Sequence, residues 1–175
     1  ITVLLVAGHE TTTHLIGNGM HALLEAPEPL ALLRAEPALV PAAVEELLRL
    51  DSPVQALVRI ATEDVEFRER RIEAGSVLLV MIGAANRDPA AFEDPEKLII
   101  DRFPNKHIGF GAGMHRCLGS FLARMMWQVM IAEVLNAKPN AVLGMAYSHV
   151  ASPSLSERSF TANTTATSRH GGKSA

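Results

Sequence analysis

Phe110-Gly111-Ala112-Gly113-Met114-His115-Arg116-Cys117-Leu118-Gly119 is a glycine-dense loop that runs into an apolar stretch. Beyond it, Leu118, Leu122, Met125, Met126, Val129, Met130 and Leu135 recur at helical spacing, which predicts a helix over 118–136. The glycines let the backbone turn sharply and come close to a large flat ligand. A cysteine where such a loop meets a helix N-terminus sits near free N–H groups and the positive end of a dipole, and these favour thiolate over thiol. Arg116, with His115, adds positive potential. A thiolate held in this way suits a soft iron. Position alone leaves two other roles open: an inert buried residue, or a nucleophile with His115 as its base. Residues i and i+2 at a helix start rarely face one another, which disfavours the nucleophile.

The composition around this loop narrows the classes. The chain has 175 residues, 48% apolar and 20% charged, which is a globular composition of single-domain size. Sixteen Lys and Arg against 19 Asp and Glu leave a net charge of −3, so there is no electrostatic footprint for nucleic acid. Cys117 is the one cysteine, which excludes an intrachain disulfide and a multi-cysteine zinc site. No apolar run reaches the roughly 18 residues needed to span a bilayer. No signal peptide is visible, so a cytoplasmic location is expected.

Working back toward the N-terminus, the pattern predicts one long helix over 1–25, apolar around much of its circumference as in a helix buried in a larger core. Shorter helices are expected over 29–35 and 41–50, with Pro29 and Pro41 in their first turns. A strand leading into a turn is expected within 54–67, a turn at Gly75, and a second strand or strand–helix transition over 76–82. Residues 89–114 read as irregular loop. The Ser/Thr-rich segment 148–175 is expected to be mobile. Its Asn163-Thr164-Thr165 sequon is a chance match.

The helix over 1–25 carries Ala7-Gly8-His9-Glu10-Thr11-Thr12-Thr13-His14. Thr11 lies four residues after Ala7, so its hydroxyl can bond the Ala7 carbonyl and loosen the helix there. Gly8 leaves room for a small ligand beside the backbone. Taken alone, a mid-helix Glu-Thr pair reads as a solvated face. A zinc-protease helix is rejected, because His9 and His14 stand at i and i+5, about 140° apart around the axis. Glu46 and Arg49, at i and i+3, meet on one helix face, a common spacing for surface ion pairs.

Phe-Gly-x-Gly-x-His-x-Cys-x-Gly resembles the haem-binding loop of the cytochrome P450 family, with Phe110, Gly111, Gly113, His115, Cys117 and Gly119 all matched. The segment Ala7–Thr12 resembles that family's oxygen-binding helix, and Glu46-Leu47-Leu48-Arg49 its Glu-x-x-Arg motif. Residues 98–107 resemble the meander of bacterial members, with Leu98 and Ile99 standing where the family has Phe and Asp. Asn86-Arg87-Asp88-Pro89 also resembles the family, without catalytic meaning. The motifs keep the family's order across about 1–137, and the resemblance is to the soluble bacterial type.

The resemblance implies the C-terminal part of the P450 fold, mainly α with a small β region: a haem-binding part over 1–147, then the tail 148–175. The fold would be cut before or within its central helix, with Ile1 inside that helix and much of the substrate pocket supplied from upstream. It implies haem b, with Cys117 as axial ligand and Phe110, Gly111, His115, Cys117 and Gly119 in the cofactor loop. His115 and Arg59 would meet haem propionates, a role that suits a guanidinium. Glu10 and Thr11 would manage protons at iron-bound oxygen. Glu46 and Arg49 would form a buried structural pair joined by Arg102. The implied activity is monooxygenation: one atom of O₂ enters a small apolar substrate, with electrons from a ferredoxin-type donor. Two rivals stand beside it, a truncated fragment that folds poorly and catalyses nothing, and haem binding without turnover. The segment alone is expected to be inactive.

Overall fold

The structure, a computed structural model, describes residues 2–137. The expected boundary at 147 and the expected mobile tail 148–175 lie outside the described residues. The described part is mainly helical with a small β region, in the order α1 (Thr2–Glu25), α2 (Pro27–Ala35), a 3₁₀ turn, α3 (Val40–Leu50), β1 (Ala56–Ile60), β2 (Val65–Phe67), β3 (Arg70–Ile72), β4 (Val77–Met81), the single turn α4 (Ile82–Ala85), a long irregular stretch, and α5 (Ser120–Ala137).

Proline starts both short helices. Pro27 opens α2 and Pro41 lies in the first turn of α3, where a missing N–H costs no helical bond. The sides of α3 differ sharply in polarity, and Val40, Ala43, Val44, Leu47 and Leu48 go into the core. They meet Leu15 and Leu23 of α1, Leu30 and Leu33 of α2, Ile100 of the irregular stretch, and Trp127 and Ile131 of α5. Burial of these side chains, at about 1.5–3 kcal/mol each before entropy, is the main force holding the helices together. Gly19 makes the α1–α5 contact possible, because it is buried against the ring of the fully buried Trp127.

Burial along α1 departs from expectation. Its C-terminal half is buried at Leu15, Gly19 and Leu23, one face at i, i+4 and i+8. Its first turns are not, and Val3 and Leu4 are 79% and 68% exposed. Among the described residues nothing packs over them, so the apolar pattern that predicts a buried helix describes only half of it.

The β region also differs from expectation. The stretch 54–67 holds two strands rather than one, and the third strand, β3, was not expected. Strands β1 and β4 pair antiparallel from Ala56↔Met81 to Ile60↔Val77, and β2 pairs with β3 from Val65↔Ile72 to Phe67↔Arg70. The break between β1 and β2 has a polar cause. Asp64 turns back to accept the Ala74 N–H at 2.8 Å and an Arg71 guanidinium hydrogen at 2.5 Å, and these bonds hold its carboxyl below the usual range. The β2–β3 hairpin turns on Arg68 and Glu69, at φ 46° and 63°, a left-handed pair of the kind usually met by Asn-Gly. The absence of that signal is why β3 was missed.

Candidate functional site

The Cys117 loop is built by two glycines and a chain of backbone bonds. Gly111 and Gly113 take φ of 70° and 66°, which only glycine adopts freely. The Gly111 N–H donates to Ile108 O at 2.8 Å, and a 3₁₀ turn follows over Gly113–His115. The Cys117 N–H donates to Phe110 O at 2.9 Å, closing the loop on itself. Helix α5 begins at Ser120, two residues later than expected, so Cys117 stands three positions before it. Its side chain is exposed.

The sulfur-bearing residue lines a cavity of about 330 Å³. One wall is α1, through Ala7, Gly8, Thr11 and Thr12. Phe110, Gly111, His115, Cys117 and Gly119 line it from the loop, and Leu122 and Met126 from α5. Leu48, Val54, Leu57 and Ile82 close another side. The Thr11 hydroxyl donates to Ala7 O at 2.6 Å, and Thr13 repeats the pattern to His9 O at 2.8 Å. A Cβ built on Gly8 or on Gly119 would meet nothing within 4 Å.

Two residues singled out from sequence are not brought to this cavity. Glu10 is exposed on α1 and is not part of the wall. Arg59 is exposed on β1, where its guanidinium turns back to the Val58 carbonyl at 2.9 Å.

Glu46, Arg49 and Arg102 lie apart from the cavity in a cluster of their own. Glu46 and Arg49 are both fully buried. The pair is bidentate, with Arg49 Nε to Glu46 Oε2 at 2.8 Å and Nη2 to Oε1 at 2.9 Å. Arg102 Nε reaches both carboxylate oxygens at 3.0 and 3.1 Å, Asn105 Nδ2 donates at 3.1 Å, and the Ile99 N–H at 3.0 Å. Arg49 uses its remaining hydrogens on the carbonyls of Asn86, Pro95 and Lys97. One carboxylate on α3 thereby holds the irregular stretch in place, and a buried charge with this many donors avoids the cost of an unpaired one.

Sequence reasoning missed two polar groups. The first is Glu45, which accepts Arg124 Nε at 2.6 Å and Nη2 at 2.8 Å, and meets His107 Nε2 at 2.9 Å. Burial pushes its carboxyl up, but hydrogen bonds from His107 and Arg124, with the Arg124 charge, outweigh this and hold it below the usual carboxylate range. The second is Asn86, fully buried, whose side chain donates to Ser52 Oγ at 3.0 Å and accepts the Ile108 N–H at 2.8 Å. Neither follows a short spacing rule. The sequence signals were the doubled Glu45-Glu46, whose side chains leave α3 about 100° apart, and the Asn86-Arg87-Asp88-Pro89 run, which carried no role for Asn86.

An exposed thiol from the glycine loop and a hydroxyl from α1 thus line one apolar cavity, and among the described residues no cluster of three metal-binding side chains accompanies them. The Cytochrome P450 family model matches residues 1–137, and the chain belongs to that family. It is 49% identical over 140 residues to a putative cytochrome P450 140 of Mycobacterium tuberculosis, covering 79% of this chain and 32% of that protein. It is 46% identical over 138 residues to the biotin biosynthesis cytochrome P450 of Bacillus subtilis, covering 79% and 35%. Among solved structures it is similar to CYP109E1 from Bacillus megaterium in complex with corticosterone, with a TM-score of 0.77, 46% identity, and 79% and 37% of the two chains covered. It is also similar to P450BioI in complex with hexadec-9Z-enoic acid ligated acyl carrier protein, with a TM-score of 0.80, 45% identity, and 82% and 37% covered. The chain spans about a third of the length of the curated relatives it matches.

Members of this family carry haem b. The residues present fit such a group: a soft sulfur donor, apolar walls, and open space where Gly8 and Gly119 lack side chains. No helix among the described residues is long and apolar enough to cross a membrane.

Proposed function

We propose that residues 1–147 form the haem-binding part of a cytoplasmic haem-thiolate monooxygenase. It joins a small apolar substrate R–H with O₂, two electrons and two protons to give R–OH and water. A ferredoxin-type protein supplies the electrons. The haem, when bound, supplies O₂ binding and redox chemistry at iron. Cys117 Sγ would hold the haem iron, on a loop whose backbone is closed at Phe110 O. His115 would hold one haem propionate and Arg59 another, the latter by giving up its bond to the Val58 carbonyl. Thr11 Oγ1 holds a proton at the cavity wall, and the exposed Glu10, one residue before it, exchanges protons with solvent. Apolar groups at Leu57, Leu122 and Met126 exclude water and favour an apolar substrate.

One observation carries this reading: Cys117 and Thr11, from distant parts of the chain, line the same apolar cavity. A reduced-plus-CO difference spectrum of the purified protein tests it. A thiolate-type Soret band is expected, and no haem uptake would overturn it. The exposed apolar first turns of α1, and Phe121 and Met125 on α5, favour a second reading for the 175-residue chain alone, that it catalyses nothing, either folding poorly or binding haem without turnover. A thiolate spectrum with no substrate oxidation when reductase is supplied distinguishes the two.

A further inference from the structure

We propose that His107 is a positioning residue for Cys117: held in a single neutral tautomer between the Glu45 carboxylate and the Gly109 amide, it sets where the cysteine loop begins.

The tautomer follows from the two partners. The Gly109 N–H donates to His107 Nδ1 at 3.1 Å, so Nδ1 carries a lone pair. Nε2 lies 2.9 Å from Glu45 Oε2, and Glu45 is a carboxylate, acceptor only, so Nε2 carries the hydrogen. Both ends demand the same form. A second proton on Nδ1 would set two donors against each other. The imidazole is enclosed, with 3% of its side chain exposed. The charged groups around it are Glu45 of α3 and Arg124 of α5, and the Arg124 guanidinium binds the same carboxylate.

The link from His107 to the sulfur is short. Gly109 is packed closely on α3 and its C-terminal end, since a Cβ there would lie 2.9 Å from Ser52 Oγ and 3.3 Å from Leu48 O. Phe110 follows, its ring 4.4 Å beneath the Arg124 guanidinium carbon, and its carbonyl accepts the Cys117 N–H. Glu45 therefore acts on Phe110 by two routes, through the His107–Gly109 bond and through Arg124. Just before them, the Ile108 N–H is held separately by Asn86. The loop is pinned at three successive residues before it reaches the cysteine.

Two conservative variants divide the bonds of His107. In His107→Asn the amide oxygen occupies the Nδ1 position and can accept the Gly109 N–H, while the bond to Glu45 is lost. In His107→Gln the amide nitrogen reaches Glu45, and the Gly109 N–H has no acceptor. Residue-resolved amide exchange is expected to quicken about tenfold or more at Gly109 and Cys117 in His107→Gln, and to stay within about twofold of wild type in His107→Asn. The Ile108 amide is the internal control and is expected to hold in both. ¹⁵N shifts of the wild-type imidazole are expected to show a bare Nδ1 and a protonated Nε2. Equal exchange at Gly109 in the two variants, or a protonated Nδ1, would overturn the proposal. Its meaning for an iron ligand rests on the haem-thiolate reading. In the haem-loaded protein the thiolate band is expected to persist in His107→Asn and weaken in His107→Gln. A wild type without that band would sink the haem reading, while the exchange and ¹⁵N data would still decide the role of His107.

Discussion

Gly19 on α1 faces the indole of Trp127 on α5 so closely that a Cβ at residue 19 would sit 1.9 Å from Cζ2. The ring is fully buried and has nowhere to swing. Gly19→Ala is therefore expected to lose about 1–3 kcal/mol of stability, overpacking outweighing the better helix propensity of alanine. Gly17→Ala is the matched control, since a Cβ there meets nothing within 4 Å, and it is expected to gain up to about 1 kcal/mol. Urea unfolding of both variants checks the pair; equal effects would refute the contact.

Removing the Glu46 carboxylate leaves Arg49 buried and Arg102 mostly buried without their shared counter-charge. Glu46→Ala is expected to cost about 3–5 kcal/mol and to prevent stable haem incorporation. Haem content after purification and the urea midpoint measure this. Normal holoprotein from the variant would count against the cluster as the anchor of the irregular stretch.

Glu45 predicts an acid response with a definite sign. Its folded-state carboxyl lies below the ordinary 4.5, so its contribution is fully present above pH 4.5 and is lost as pH falls through the lowered folded-state value. That contribution is on the order of 2 kcal/mol after allowance for solvent screening at a partly exposed site. The stability gap between wild type and Glu45→Gln should be constant above pH 4.5 and shrink below it. A gap independent of pH across that window would show that the carboxylate charge is not what matters.

Thr11→Val removes the cavity hydroxyl and its bond to Ala7 O at nearly constant volume. The proposed proton role predicts an unchanged thiolate spectrum and at least about a tenfold fall in product formed per electron consumed. Spectrum and product yield are measured on the same preparation. Unimpaired yield would remove Thr11 from proton handling.

What could be read in advance divides by range along the chain. The Thr11–Ala7 and Glu46–Arg49 bonds are local, at i to i−4 and i to i+3, and helical periodicity alone brings those groups together. The cysteine loop was legible because its glycines are demanded by backbone geometry, as Gly111 and Gly113 show. The Glu45–His107–Arg124 and Asn86–Ile108 contacts were not, since each joins segments whose approach is decided by tertiary packing. Arg59 shows another limit: a position in a motif does not say where a long flexible side chain rests, and here it folds onto its own strand. The exposed start of α1 is a third, because an apolar pattern says what a helix would bury and not what is present to bury it.

The grip of the Glu46 cluster on the irregular stretch falls almost wholly on main-chain atoms. Arg49 holds the carbonyls of Asn86, Pro95 and Lys97, Arg102 those of Glu93 and Asp94, and Glu46 takes the amide of Ile99. Every residue type offers the carbonyl, and every type except proline offers the amide. The exposed side chains of this stretch, Glu93, Glu96 and Lys97, are thus free to change while the chain keeps its course, whereas Leu98, packed against the core, and Asp94, at φ 44°, are not. The address is written largely in peptide groups, so substitutions at Glu93, Glu96 or Lys97 should be nearly silent where changes at Glu46, Arg49 or Arg102 would not be.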